Sequence, residues 1–239
     1  SEKEEVIKDL RKVLEEVLRR HEELVERLKE VLRKVLEDHK KLVEDLKRVL
    51  DEVRRKLENN ADLETVIKEL LEVIRRVLED SNRVVEELVR AVEEVLKESI
   101  RVVKRLIDTV DELLRRLTRT EDVKEIVDRI RKKLKELLDT NRELVERVRK
   151  LLEELVETNR RLTEEVKRKV EEILKLARNG LDREELLRRL ERIVEDIIRL
   201  LEESLKLAAE VIKTIIRLLE ESLERLKRLV DDIVEKLRK

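Results

Sequence analysis

Eighteen residues separate His21 from His39, Ser81 from Ser99, Asn141 from Asn159 and Ser204 from Ser222. Five turns of α-helix span the same eighteen residues, so both members of a pair leave a straight helix in one direction. On a wheel of 100° per residue each pair lies at the middle of an apolar stripe. Leu14, Val17, Val25, Leu28 and Val35 fall within about 40° of His21, and Leu134, Leu137, Val145 and Val148 within the same arc of Asn141. Ile74, Val77, Val85 and Leu88 flank Ser81, and Ile193, Ile197, Ala208 and Val211 flank Ser204. Uncharged polar residues at the centre of a stripe point into a core, not towards an exposed rim. The eighteen-residue period predicts helices with almost no supercoil, where a strict heptad would coil left-handed and an eleven-residue repeat right-handed.

Helix-breaking chemistry interrupts the stripes at Asn59-Asn60-Ala61-Asp62, at Thr118-Arg119-Thr120 and at Arg178-Asn179-Gly180-Leu181-Asp182. Gly180 suits the left-handed residue after a helix end. Asp182 with Glu185 has capping-box spacing, and Leu181 with Leu186 the spacing of a hydrophobic staple. Ser1 with Glu4, and Thr118 with Glu121, repeat the box, with Thr120 an equal candidate for the second cap. The expected helices are 2–58, 62–118, 121–178 and 183–238, each about 84 Å long. Turns this short make successive helices antiparallel. The expected fold is therefore all-α: one antiparallel up-down-up-down four-helix bundle over 1–239, with long, nearly straight helices.

Folding the stripes back through the turns brings the polar positions to two heights. His21, Ser99, Asn141 and Ser222 form one expected layer; His39, Ser81, Asn159 and Ser204 form the other, joined by Thr163 one turn from Asn159. A buried hydroxyl, amide or imidazole without a partner costs about 1–3 kcal/mol. A slipped alignment would set these groups against Leu and Val, so the layers would discriminate against wrong registers that leucine stripes alone tolerate. Asn82 lies 100° from its stripe centre and its repeat mate is Ile100, so it is expected at the periphery; Thr109 and Thr214 are expected at the stripe margins.

Composition narrows the functions available. Charged residues make up 51% of the chain, with 60 basic and 61 acidic side chains intermixed and a net charge of −1; no aromatic residue occurs. A nucleic-acid surface gathers Lys and Arg on one face and stacks bases on aromatic rings, so no nucleic-acid partner is expected. No apolar run approaches the ~18 residues of a membrane span, and Ser1-Glu-Lys-Glu-Glu5 is no signal region, so no membrane partner is expected and the chain should be soluble, cytoplasmic when expressed. Without cysteine there are no thiolate ligands or disulfides. The 40% apolar fraction, being periodic, supports a core despite the high charge.

With Leu, Val, Ile, Glu, Lys and Arg dominating, a single Gly and no Pro, Cys, Met, Trp, Tyr or Phe, and with His, Ser and Asn at recurrent core positions, the whole chain resembles computationally designed parametric helical bundles with buried hydrogen-bond networks. That class includes designed heterodimers, oligomers and switchable cage scaffolds. The resemblance implies a scaffold without catalytic activity.

The residues agree with that implication. A His–Ser pair such as His21 and Ser99 could be drawn as base and nucleophile, but catalysis also needs an orienting acid, an oxyanion site and room for substrate. The acids lie on the outer faces, and a mid-helix backbone offers no free N–H. No catalytic residue is expected. The two histidines are five turns apart and cannot share an ion, so neither a metal site, a cofactor nor a small-molecule ligand is expected. On the fourth helix the apolar arc widens through Leu187, Ile198, Leu205, Ala209, Ile216 and Leu223. This stripe either contacts another chain, making the protein an interaction module that self-associates or takes a designed partner, or packs at the boundary of its own bundle. A switchable scaffold with one helix as a latch is a third reading, opposed by the tight turns.

Overall fold

The computed structural model describes residues 2–118, 124–180 and 182–238. Four helices account for nearly all of them: α1 (Glu2–Glu58), α2 (Leu63–Thr118), α3 (Lys124–Arg178) and α4 (Arg183–Arg238), with no strand among the described residues. The fold is all-α. Little in these segments opposes helix: most β-branched residues lie in the apolar stripes, and the outer positions carry mainly Glu, Lys and Arg. Acids open each helix and bases close it, as the helix dipole favours.

The chain divides into two compact units, each assembled from a segment of all four helices. Residues 1–30, 91–150 and 211–239 make the first, and residues 31–90 and 151–210 the second. In the first, the start of α1 (Val6, Leu10, Val17) packs with the end of α2 (Val102, Leu106, Leu114), the start of α3 (Ile130, Leu134) and the end of α4 (Leu226, Ile233). In the second, Leu46 and Val53 of α1 meet Ile67 and Ile74 of α2, Val166 and Ile173 of α3, and Leu190 and Ile197 of α4. Helix starts pack with helix ends in both, as an antiparallel four-helix bundle requires. Ion pairs bridge neighbouring helices at the surface: Arg116 with Asp9 and Arg131 with Asp111 in the first unit, and Arg54 with Glu191 and Lys169 with Asp196 in the second. Their exposure to water keeps each contribution small.

The first turn is a Schellman closure. The Ala61 N–H donates to the Lys56 carbonyl and the Asn60 N–H to the Leu57 carbonyl, with Asn60 in the left-handed region at φ 58°. Asp62 caps α2 instead of beginning it. Its carbonyl accepts from the Val66 N–H and its carboxylate from the Thr65 hydroxyl at 2.9 Å, so the helix starts one residue later than expected. At the third turn Gly180 takes φ 80°, and the Asp182 carbonyl accepts from the Leu186 N–H. The proposed caps at Ser1, Thr118 and Thr120, the start of the third helix at 121 and the Leu181 half of the staple lie outside the described residues or side chains.

Gly180 offers a clean measurement of backbone strain, because a Cβ there would meet no atom within 4 Å. Gly180→Ala should therefore lower the unfolding free energy by about 1 kcal/mol through conformation alone, seen as a lower urea midpoint at unchanged m-value. An unaltered midpoint would mean that the left-handed conformation is not retained in solution.

Candidate functional site: two buried polar layers

Among the described residues, the buried polar side chains are His21, Ser99, Asn141 and Ser222 in the first unit and His39, Ser81, Asn159, Thr163 and Ser204 in the second; none is more than 5% exposed. The helical period places them there. All but Thr163, one turn from Asn159, occupy the stripe centre of their helix, and the antiparallel packing gives each unit a contribution from every helix.

The second unit connects part of its set. The Asn159 Nδ2 donates to Asn82 Oδ1 at 2.6 Å, and the Ser204 hydroxyl donates to Asn159 Oδ1 at 3.4 Å. The Thr163 hydroxyl donates to the Asn159 carbonyl at 2.8 Å and stands 3.4 Å from Asn82 Oδ1. Side chains of α2, α3 and α4 are thereby joined through Asn159. Asn82 belongs at the centre of this arrangement, not at the periphery. Its side chain is half-buried, and its length brings the amide across to α3 from a position beside the stripe. Residue direction on a wheel does not include side-chain reach, and that is why the angular criterion missed it. An Asn inside a helix, next to Ser81 and poorly suited to helix interiors, was the available signal.

Both histidines turn to their own helix. His21 Nδ1 donates to the Val17 carbonyl at 3.0 Å, and His39 Nδ1 to the Val35 carbonyl at 3.1 Å. A carbonyl only accepts, so these rings carry their neutral proton on Nδ1, leaving Nε2 as an acceptor. Nε2 of both rings is buried without a partner in the protein, as are the Ser81 and Ser99 hydroxyls and the Asn141 Nδ2. Reflection through the first turn aligned His39 with Ser81 and His21 with Ser99, but no hydrogen bond joins either pair. Burial lowers the pKa of both imidazoles, opposed by the bond to the backbone carbonyl and, for His39, by the charge of Asp38.

No protein-family model matches this sequence, and no curated protein matches it.

A neutral imidazole bonded to its own backbone, with no acid orienting it and no hydroxyl at Nε2, lacks the relay that nucleophilic catalysis uses. No group of three or more His, Asp or Glu side chains that could hold a metal occurs among the described residues, and no described helix is long and apolar enough to cross a membrane. Leu187, Ile198, Leu205, Ala209, Ile216 and Leu223 of α4 are all half-buried. Leu187 and Ile198 pack against the core of the second unit. Among the described residues, the large apolar side chains that are exposed lie elsewhere, at Leu36 of α1 and Val156 of α3, 42% and 41% exposed.

The role of Asn82 has a measurable consequence. Asn82→Leu would leave the buried Asn159 amide without its acceptor and should cost about 1–3 kcal/mol, against the usual gain from an added apolar side chain. Chemical denaturation of the variant measures this; a stabilised variant would mean that the Asn82–Asn159 bond is not formed in solution.

Proposed function

We propose that the chain is a designed structural scaffold, without catalytic activity, in which two buried polar layers, the second of them hydrogen-bonded between helices, fix the helix alignment. What carries this reading is the burial of uncharged polar side chains at one recurring interval on all four helices, surrounded by Leu, Val and Ile. Uncharged groups whose burial is costly are best explained by selecting one alignment over its neighbours. A slip of one turn would break the Asn159–Asn82 and Ser204–Asn159 bonds between helices, and each group deprived of a partner costs about 1–3 kcal/mol. Aliphatic layers would give greater cohesion and weaker discrimination, since they pack acceptably at several registers. The function of such a molecule is to present surfaces at fixed positions. This reading assigns it no nucleic acid, membrane or small-molecule partner.

Spin labels provide the test. Cysteines introduced at the exposed positions Lys12 and Arg105, one on each of two helices of the first unit, should give a single narrow distance distribution in the parent. In a variant with every layer residue made aliphatic (His and Asn to Leu, Ser to Ala, Thr to Val), the distribution should broaden or split. A single narrow distance in both proteins would sink the proposal. The half-buried stripe on α4 supports boundary packing, for which light scattering should return the 28.8 kDa of one chain. Twice that mass would favour the interaction module instead.

A further inference from the structure

The two layers are not copies of each other, and the difference defines a binding site. In the second unit Asn159 donates its amide to Asn82, and Thr163 stands beside the same oxygen. At the positions eighteen residues away, earlier on α3 and later on α2, the first unit has Asn141 for Asn159, Val145 for Thr163 and Ile100 for Asn82. The asparagine is kept while both of its polar neighbours have become aliphatic. Asn141 Nδ2 is accordingly buried with no acceptor in the protein, and so is the Ser99 hydroxyl. Both residues line one small cavity of about 20 Å³, whose other walls include Val145, Val148 and Ile215.

We infer that this cavity is a specific site for one internal water molecule, which accepts from the Asn141 Nδ2–H and exchanges a hydrogen bond with the Ser99 hydroxyl. Size selects the occupant: about 10–15 Å³ suffices for one water, and the cavity admits nothing much larger. Chemistry selects it too. An internal water normally makes two to four hydrogen bonds to groups that would otherwise be unsatisfied, and two such groups are present here. A wholly apolar void of this size would stay dry. An ion is unsuitable, because a neutral amide and a hydroxyl cannot repay the loss of its hydration shell. The water therefore does in the first unit what the Asn82 side chain does in the second. It completes the coordination of an asparagine, through a molecule that can leave.

Water–protein NOE and ROE spectroscopy on the 15N-labelled full chain tests the inference. The Asn141 side-chain amide protons should show a cross-peak to water whose NOE and ROE have opposite signs, the mark of a long-lived bound molecule. The Asn159 amide, capped by Asn82, should show none and serves as internal control. Ile100→Asn supplies the missing acceptor and should abolish the Asn141 peak, as Ser99→Ala should weaken it. Absence of the peak in the parent would overturn the site, as would peaks of equal strength at both asparagines, or an Asn141 peak unchanged in Ile100→Asn.

Discussion

Exchanging Asn159 with Leu155, one turn away on the same face of α3, should cost about 3–6 kcal/mol although the double variant has the parent's composition. Both positions are buried, so no change in apolar burial offsets the loss. Three consequences add. The Ser204 hydroxyl and the Asn82 carbonyl oxygen lose their shared partner, and the relocated amide enters an aliphatic environment with both its N–H groups and its oxygen unsatisfied. Since the number of polar and apolar atoms is constant, the measured difference isolates alignment from composition. Guanidinium denaturation of parent and double variant at neutral pH gives the value. A loss below about 1 kcal/mol would mean that a polar residue anywhere in the stripe serves equally well, and the proposal of register control would fail with it.

Acid should be the second large perturbation, and histidine its cause. Both imidazoles have their pKa lowered by burial, so the folded state binds protons less readily than the unfolded state, in which the ordinary value is about 6.5. Their stabilising contribution is complete above that value and is lost as pH falls below it, towards the folded pKa. Each site can lose at most about 1.4 kcal/mol per pH unit, so the pair can lose up to about 4 kcal/mol between pH 6.5 and 5. The geometry supports the direction: Nδ1 already donates to a backbone carbonyl, and a second proton would place an N–H at the buried, partnerless Nε2. Asp38 moderates the effect at His39. Denaturation midpoints should fall across this range in the parent and remain nearly level in His21→Leu/His39→Leu. Parallel pH profiles for the two proteins would assign the acid response to other groups.

The turn chemistry and the stripe centres were legible because each rests on local rules: Gly180 and Asp182 by conformation and capping, Ser81 or Asn141 by angular position alone. What happens between buried polar groups was not. Asn82 sits outside the apolar arc, and only the reach of its side chain brings it to Asn159. The histidines bond backward to Val17 and Val35, a choice of rotamer that spacing cannot express. The stripe on α4 raised two possibilities because a wheel gives direction without depth; the neighbouring helices take up part of that width.

The mismatch of Asn82 with Ile100, and of Thr163 with Val145, acts as the ward in a lock. A repeating sequence has one dangerous false fit, a shift by a full period of eighteen, in which the polar residues of one layer would meet those of the other. In that displaced fit Asn159 would face Ile100 in place of Asn82, and its amide would go without the one neighbour that receives it at 2.6 Å. Breaking the repeat at two positions thus distinguishes the true setting from its nearest impostor, while the rest of the pattern stays periodic.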